Sequence, residues 1–382
     1  MRTHFDLIVV GGGIMGTFHA YHAARQKKSV LLLEKDNFPV GATVRNFGQA
    51  VPSGLAGRWF NYGRRSLELY RELQSKTDIT VRQNGSVYIA SDADEWQLVN
   101  ELYDYYGSVG YPCELLTKEA CLETYPYLQK EYPVGAIFFP GEMTVDSPVL
   151  MQRFLAYCVE QEGITYLNNA TVTACDSSNG KATVRLTNQK TFEAEKVLIC
   201  NGHEFRMLYP ELFAQSGLIV SKLQMLQTVK FPELDMKGNI LTGLTIRRYE
   251  SFQQLPSYAS LTTPSHYEEL KKWGIHVLFK QALDGSVVVG DSHEYAGAQN
   301  VNDLGYHIND YINQLIIDEA KRIVRFPVEK MQMSWAGFYS QTSDEIYEYD
   351  IDEHIRIITG IGGKGMTSSG GYAEETITRL FS

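Results

Sequence analysis

The sequence predicts a two-domain α/β protein, in which a Rossmann-like domain is joined to a domain built on a mixed antiparallel sheet. Three observations support this fold class. The stretch DLIVVGGGIMGTFHA (6–20) places a glycine-rich turn between an apolar run and a helical pattern, and residues 354–380 repeat that plan. Residues 217–330 are instead rich in strand patterns and aromatic side chains. At 382 residues, the chain is long enough for two domains.

The first elements predict a βαβ unit. Residues 7–10 form an apolar run typical of a buried parallel strand, and residues 14–25 follow helical spacing. Residues 29–33 predict a second strand, which ends at Glu34. We therefore expect this unit to open the first domain.

The middle of the chain predicts a helix followed by a β-meander. Ser147 is placed to cap this helix, Pro148 occupies its first position and Gly163 ends it. Residues 164–200 then alternate with period two around a hairpin turn at 178–180. This meander ends in an apolar strand, which we expect to return to the parallel sheet.

The remaining elements close both domains. A turn at Asp284 and Gly285 separates two further strand patterns. Residues 355–359 predict a strand, and a glycine-rich turn and a helix that runs to the C-terminus follow it. This last unit has the same plan as the first.

The composition excludes several classes of function. With a formal net charge of −10, the protein lacks the basic surface on which nucleic-acid binding depends. No apolar run is long enough to span a bilayer and no signal peptide is evident, so we expect a cytoplasmic protein without membrane or nucleic-acid partners. Five scattered cysteines predict neither disulfides nor zinc, and His19 and His22 lack partner ligands, so no metal is expected.

Gly11, Gly13 and Gly16 match the dinucleotide-binding pattern GxGxxG, and Glu34 follows at the end of the next strand. The glycines permit a tight turn, a close approach of backbone to a pyrophosphate and close packing of helix on strand. The helix N-terminus faces the anion, and the acid accepts hydrogen bonds from a ribose. The motif in this context predicts a dinucleotide site.

A second glycine-rich turn favours a flavin over a nicotinamide cofactor. Gly360, Gly362, Gly363 and Gly365 precede the C-terminal helix, where backbone N–H groups can reach a second part of a long cofactor. A Walker-type loop is excluded because Met366, not lysine, follows Gly365. A turn whose glycines only permit close packing stays the alternative.

Further stretches make the chain similar to a known family: GEMTVDSPVL (141–150), KVLICNG (196–202), WAGFYSQTSDE (335–345) and GIGGKGMTSSGG (360–371). Over nearly its whole length the chain resembles the D-amino-acid oxidase (DAO) superfamily of FAD enzymes, in the branch of glycine and sarcosine oxidases. The stretches ATVRNFGQAVPSG (42–54), IRRYESF (246–252) and VVVGDSHEY (287–295) also resemble flavin oxidoreductases linked to phosphonate catabolism.

These motifs divide the chain into two discontinuous domains. We expect an FAD-binding domain formed by residues 1–80, 145–215 and 331–382, and a substrate domain formed by residues 81–144 and 216–330. The oligomeric state stays open.

The resemblance implies a set of cofactor contacts. The segment after the ribose acid passes along the flavin in this family, which adds Thr43, Arg45, Asn46 and Gly48, and Val172 matches a strand residue whose backbone contacts adenine. For Arg45 the alternative is a surface ion pair, and for Val172 it is a core position. The full candidate set is Gly11, Gly13, Ile14, Met15, Gly16, Glu34, Lys35, Thr43, Arg45, Asn46, Gly48, Val172, Gly202, Gly362, Gly363, Lys364, Gly365 and Met366.

The resemblance also implies how the flavin is attached. Sarcosine oxidases with covalent flavin carry a cysteine five residues before a T-x-D stretch. Here Gly337 stands at that place before Thr342, which implies non-covalent FAD.

The expected substrate is a small amine with an anionic group, whose pocket needs cationic or hydroxyl donors. The candidate catalytic residues are Arg248, Tyr249, His293 and Lys364. Neighbouring residues of a regular strand face opposite ways, so only one of Arg247 and Arg248 can enter the pocket, and the resemblance favours Arg248. We expect Lys364 over the flavin edge, with a solvated lysine as the alternative, and a structural histidine is the alternative for His293.

The implied reaction is oxidation of a primary or secondary amine, an aminophosphonate or amino acid, by hydride transfer to flavin N5. The imine product then hydrolyses to an aldehyde or keto product. Three alternatives stay open: oxidation of a hydroxy acid or polyol phosphate, a NAD-dependent dehydrogenase, and a flavin-binding subunit without catalysis. The electron acceptor also stays open, and oxygen is favoured only by resemblance.

Overall fold

The computed structural model describes residues 2–382, which form two large sheets, one small sheet and their covering helices. The strands are β1 His4–Val10, β2 Val30–Leu33, β3 Gln49–Ala50, β4 Ser86–Ala90, β5 Glu114–Thr117, β6 Gly135–Phe139, β7 Met143–Thr144, β8 Thr165–Leu167, β9 Val172–Ser178, β10 Lys181–Leu186, β11 Thr191–Ile199, β12 Ile219–Thr228, β13 Asn239–Leu241, β14 Leu278–Gln281, β15 Val287–Gly290, β16 Glu294–Gly297, β17 Met331–Gln341, β18 Tyr347–Asp350 and β19 Ile355–Thr359. The helices are α1 Ile14–Arg25, α2 Ala42–Arg45, α3 Gly57–Lys76, α4 Ala93–Ser108, α5 Lys118–Thr124, α6 Ser147–Glu160, α7 Pro210–Gln215, α8 Gly243–Ile246, α9 Glu250–Gln253, α10 Glu268–Lys272, α11 Asp310–Ile323 and α12 Gly365–Leu380.

The first sheet has the strand order β18-β19-β11-β1-β2-β8, with the hairpin β9–β10 attached to β11. β1 lies at its centre and pairs in parallel with β2 and β11, so that Val10 stands beside both Leu33 and Ile199. Helices α1, α3, α6 and α12 contribute to one core against this sheet, in which Phe18 and Phe154 are fully buried. The carboxyl ends of the parallel strands therefore meet at one edge.

The predicted βαβ unit is confirmed. α1 begins and ends at the predicted residues, and β2 ends at Leu33, directly before Glu34. The predicted hairpin turn also forms, with Asn179 and Gly180 in the left-handed region at φ 52° and 75°. This conformation matches the twist of antiparallel strands.

The predicted cap of α6 is wrong. Asp146, not Ser147, is the N-cap, and its carboxylate accepts from the Val149 N–H. The helix ends at Glu160, and Gly163 follows in the left-handed region at φ 70°. Asp146 takes the cap because the hydroxyl of Ser147 instead donates to Asn46 Oδ1 at 2.8 Å.

The second sheet has the order β16-β12-β15-β14-β13-β4-β6-β5, and β17 pairs with β12 off this path. Only β13 and β4 pair in parallel among the described strands of this sheet, so it is mixed and largely antiparallel, as predicted. A second core, which includes Phe279 and Ile316, covers one of its faces.

One domain boundary requires correction. The sequence assigns residues 331–341 to the first domain, whereas β17 pairs with β12 from Ile219↔Gln341 to Thr228↔Met331. The boundary therefore moves to the end of β17. The sequence could not assign residues 331–341 to the second sheet, because the strand pattern of β17 does not specify its partner strand.

The two sheets are joined where β17 ends. Gln341 forms an isolated antiparallel bridge with Ile361, and the hydroxyls of Ser340 and Thr359 lie 3.1 Å apart. The Gly360 N–H also donates to Ser340 Oγ at 3.2 Å. This junction fixes the second glycine-rich turn against the second sheet. Along residues 2–382, no helix has the length and apolar character needed to cross a membrane.

Candidate active site

The first glycine-rich turn brings backbone segments very close together. Gly11 has φ +108°, and a Cβ there would lie 2.2 Å from the carbonyl oxygen of Cys200. A Cβ on Gly16 would lie 2.0 Å from the carbonyl oxygen of Gly11. Only glycine is accommodated at these two positions, so α1 starts directly beside the end of β1.

Glu34 anchors this turn from the neighbouring strand. Its side chain is buried, and its Oε2 accepts from the Gly12 N–H at 2.9 Å while Oε1 accepts from the Asp36 N–H at 3.0 Å. A carboxylate offers about four acceptor positions, so two are left for a ligand. The carboxylate can therefore bind a diol while it holds the turn.

Both glycine-rich turns end in helices that have no side-chain cap. Gly13 is the N-cap of α1 and Lys364 is the N-cap of α12, and neither provides a capping side chain. Thr43 Oγ1 accepts from the Ile14 N–H at 3.0 Å. Apart from the Ile14 N–H, the first N–H groups of these helices and their partial positive charge suit anionic groups.

A cavity of about 420 Å³, here called the first cavity, extends between the two turns. The candidate cofactor-binding residues that line it are Gly11, Gly13, Ile14, Met15, Glu34, Lys35, Thr43, Arg45, Asn46, Val172, Gly202, Gly362, Gly363, Gly365 and Met366. Gly16 instead permits packing of α1, and Gly48 and Lys364 line a different cavity. The elongated cavity, its carboxylate and its two helix starts fit FAD.

Asn46 and Gly48 are fixed by a local network. Asn46 Oδ1 accepts from the Gly48 N–H and from Ser147 Oγ, both at 2.8 Å. Gly48 has φ +80°, and a Cβ there would lie 2.3 Å from both Lys280 Nζ and Val145 O. A side chain at Gly48 is excluded by space as well as by conformation.

Arg45 is held by backbone carbonyls. Its Nε donates to Val40 O at 2.7 Å and its Nη1 to Ala336 O at 3.3 Å. The surface ion pair that the sequence left as the alternative does not form among the described residues. The guanidinium instead contributes positive charge to the wall of the first cavity.

A second cavity of about 370 Å³ adjoins the first. The residues that line both are Asn46, Tyr339, Gly360, Ile361, Gly362, Gly363 and Met366. The second cavity brings together all four candidate catalytic residues, Arg248, Tyr249, His293 and Lys364. A ligand in it would lie beside a cofactor in the first cavity.

Arg248 lines the second cavity and Arg247 does not, for a different reason from the one predicted. The pair follows the short helix α8 and lies in a turn, not in a strand. Arg247 forms ion pairs with Asp92 and Glu95, and its side chain is 10% exposed. Arg248 Nη2 donates to Tyr295 Oη at 3.1 Å.

Lys364 is not on a solvated surface. Its side chain is 16% exposed, and its Nζ lies 3.0 Å from Glu250 Oε1 and 5.5 Å from the centroid of the Trp59 ring. Glu250 thus offsets part of the positive charge that Lys364 brings to the second cavity.

His293 does not supply the positive charge that the sequence predicted. Burial is the main cause that lowers its pKa to about 3; Asp291 opposes this shift, and the charge of Arg248 adds to it. The ring is neutral at neutral pH, stacks on His276 with centroids 5.5 Å apart, and donates from Nδ1 to Gly274 O at 2.9 Å.

Tyr249 forms part of the floor of the second cavity. Its hydroxyl accepts from Gln49 Nε2 at 3.0 Å, and burial raises its pKa well above the usual value. A Cβ on Gly54 would lie 2.4 Å from the Tyr249 ring, so that glycine makes room for it. The hydroxyl stays protonated and available as a donor.

Sequence reasoning missed His276 and Asp291 in this cavity. They face each other across the β14–β15 ladder, and His276 Nε2 lies 2.8 Å from Asp291 Oδ1. The signal for Asp291 was its spacing two residues before His293, which places both on one face of an extended chain. Nothing local identifies His276.

The donor atoms of His276, Asp291 and His293 lie within 4.8 Å of one another, close enough for one metal ion to bridge. His293 Nδ1 is already bonded to a carbonyl and His276 Nε2 already contacts the carboxylate. The sequence-based expectation of no metal stays a prediction. His19 and His22 contact backbone carbonyls of Met15 and Gly370.

Comparison with known proteins identifies the family. The model of the family described as DAO, FAD dependent oxidoreductase, matches residues 6–379. The chain belongs to this family. Membership confirms the resemblance to the DAO family and decides for FAD over NAD, and the resemblance to flavin oxidoreductases linked to phosphonate catabolism stays a prediction.

Individual relatives support the same family and differ in their substrates. A glycine oxidase of Geobacillus kaustophilus is 28% identical over 53% of this chain and 55% of its own length, so the chain spans about half of that relative. A glycerol 3-phosphate dehydrogenase of Caloramator mitchellensis is 24% identical over 96% of this chain and 71% of its own length. The crystal structure of glycine oxidase from Geobacillus kaustophilus has a TM-score of 0.77 at 19% identity and covers 99% of this chain and 95% of its own, which shows the shared fold.

We expect FAD to be released intact by acid precipitation. Gly337 lines neither cavity, and Cys200 is the one cysteine, among residues 2–382, that lines either. Burial raises the pKa of the Cys200 thiol to about 12, so it is a poor nucleophile. The measurement is flavin absorbance in supernatant and pellet, and flavin that stays in the pellet would contradict non-covalent binding.

Replacing Glu34 with Gln should weaken FAD retention. Glutamine can still accept from the Gly12 N–H but lacks the charge for the ribose hydroxyls, a loss of roughly 1.5 to 3 kcal/mol. The dissociation constant, measured by fluorescence of released FAD, should rise about tenfold to a hundredfold. Glu195→Gln, an exposed change on β11, is the matched control, and equal affinity of both variants would place the ribose elsewhere.

Proposed function

We propose that this chain oxidises a small amine that carries an anionic group, an amino acid or an aminophosphonate, with FAD as its cofactor. The observation that carries the proposal is the second cavity. It shares a wall with the first cavity and holds the cationic side chains of Arg248 and Lys364 in an otherwise acidic protein. Similarity to glycine oxidases supports an amine substrate.

The side chains of the second cavity orient the substrate and set the electrostatic field around it. When bound, FAD supplies the acceptor for the hydride that leaves the substrate carbon next to nitrogen. Arg248 holds the anionic end of the substrate, with the planar guanidinium suited to a carboxylate or phosphonate. The protonated phenol of Tyr249 donates a neutral hydrogen bond at the cavity floor.

The second glycine-rich turn supports the reaction from the cofactor side. The uncapped N-terminus of α12 places positive potential where the two cavities meet, and the ammonium of Lys364 adds to it only in part, because Glu250 pairs with it. Positive potential at that place stabilises negative charge that develops during the reaction. The side chain of Lys364 is shielded from solvent, which strengthens this effect.

Oxidation of a hydroxy acid or polyol phosphate is the second candidate. Arg248 and Lys364 suit a phosphate as well as a carboxylate, and the relative from Caloramator mitchellensis is named a glycerol 3-phosphate dehydrogenase. A flavin-binding subunit without catalysis is the third, and it differs from both enzymes because no substrate would reduce its flavin.

An anaerobic substrate panel tests the proposal. The purified yellow protein should lose its visible flavin absorbance with one or more amino acids, N-methyl amino acids or aminoethylphosphonates. Glycerol phosphate and hydroxy acids should leave it oxidised. Bleaching only by the hydroxy compounds would replace the proposed function with the second candidate, and no bleaching would favour the third. Air admitted afterwards shows whether oxygen is an acceptor.

Replacing Arg248 with Met should raise KM strongly at normal FAD content. A buried anionic group would lose a charge-assisted partner worth roughly 1.5 to 3 kcal/mol, which is about tenfold to a hundredfold in KM. The measurement is anaerobic flavin reduction at varied concentrations of the best substrate.

Arg185→Met is the matched control for this change, since Arg185 is exposed on β10 in the other sheet. Its kinetics should equal those of the parent. If Arg248→Met also equals the parent, Arg248 does not hold the anionic group.

A further inference from the structure

Asp291 is a buried carboxylate without an aligned hydrogen-bond donor. Its side chain is 9% exposed and lines the second cavity. His276 Nε2 lies 2.8 Å from Oδ1, yet the N–H direction does not meet that oxygen, which has no hydrogen bond within residues 2–382. A buried carboxylate costs free energy unless a cation or a donor compensates it.

The groups that face Asp291 leave it charged but incompletely compensated. They are His276, His293, Arg248, Tyr249 and Tyr339. Burial raises the pKa of Asp291, but the contact with His276, together with the nearby His293 and Arg248, holds the pKa below its usual value. Arg248 donates to Tyr295 and has no contact with the carboxylate within salt-bridge distance. A negative charge is therefore held in the cavity wall.

His293 is a neutral ring beside this charge, with its Nδ1 4.0 Å from Asp291 Oδ1. The carbonyl of Gly274 can only accept, so the bond from Nδ1 fixes the proton on Nδ1. Nε2 is then the unprotonated nitrogen of a ring that lines the cavity. His276 stacks on this ring and contacts the carboxylate, so it orients both groups.

We propose that Asp291 forms a subsite for a protonated nitrogen, with His293 in the same cavity wall, so that the second cavity selects an ammonium over a hydroxyl on its substrate. An ammonium offers three donors and a positive charge to the carboxylate, which can only accept. A hydroxyl offers one donor and leaves the carboxylate uncompensated.

The position of Arg248 sets the chemical class of this ligand. It is near enough to Asp291 to affect its titration, and it carries the opposite charge. A ligand that satisfies both carries an ammonium and an acid group, as in an amino acid or an aminophosphonate. This inference rests on the proposed function, since it assigns the nitrogen end of the same substrate.

Two unreactive ligands test the subsite without turnover. α-Aminoisobutyrate and α-hydroxyisobutyrate differ only in nitrogen against oxygen, and neither has a hydrogen on the substituted carbon that could leave as hydride. Binding to the FAD-loaded protein is measured by calorimetry. The parent should bind the amine at least about tenfold more tightly than the hydroxy acid. Equal binding, preference for the hydroxy acid, or no binding of either would overturn the proposal before any variant is made.

Substitutions then show which residue causes the preference for the amine over the hydroxy acid. Asp291→Asn keeps the shape and removes the charge, and it should reduce the amine preference by roughly 10- to 100-fold. Asp284→Asn, in the turn of the same β14–β15 hairpin and paired with Lys230 at 3.6 Å, is the matched control and should keep it. A preference that survives Asp291→Asn would overturn the assignment, as would a stoichiometric metal ion found in the purified protein by mass spectrometry.

The result can be separated from the substrate panel. If amines reduce the flavin but the ligand preference is absent, the subsite is wrong and the proposed function stands. If only glycerol phosphate reduces the flavin, the proposed function fails, whatever the ligands show.

Discussion

The junction at Ser340 determines where both cavities lie. β17 is held along its length by β12 of the second sheet, and at its end Ser340 contacts Thr359 and Gly360 of the first. These hydrogen bonds fix the second glycine-rich turn, whose residues form the wall that the two cavities share. This contact helps to set the distance between the candidate dinucleotide site on one sheet and the charged side chains on the other, and reactions between bound groups depend steeply on such distances.

Features that depend on residue type alone could be predicted from the sequence. Gly11 and Gly16 are required because a Cβ would overlap with backbone, and a pattern of glycines reports such a requirement directly. The same holds for the helix limits of α1 and for the left-handed turn at 178–180, where side-chain chemistry and backbone conformation are coupled locally. The glycine-rich turns of the candidate cofactor site could therefore be predicted, because they are built almost entirely from backbone and one acid, and the individual cofactor contacts stay predictions.

Features that depend on partners distant in sequence could not be predicted. The ion pair between Lys364 and Glu250, and the contact between His276 and Asp291, join different elements. The neutrality of His293 follows from burial, which the sequence does not report. The strand assumed around Arg248 is a helical turn, because a short run of four helical residues gives no recognisable periodicity. The substrate side of the site is thus a property of the assembled second sheet.

The charges of the second cavity bear on the choice between amine and alcohol. Arg248 and Lys364 are cations, Glu250 and Asp291 are anions, and Glu250 is already paired with Lys364. The uncompensated charges are then one guanidinium and one carboxylate, whose sum is near zero. A phosphate ester of a polyol would satisfy the guanidinium and leave the carboxylate buried with more negative charge beside it, which is costly in a site that excludes water. A zwitterion satisfies both, because each of its charges meets the opposite one on the wall. The electrostatics of this cavity therefore favour a ligand with an ammonium next to an acid group, even though the fold itself serves both chemistries.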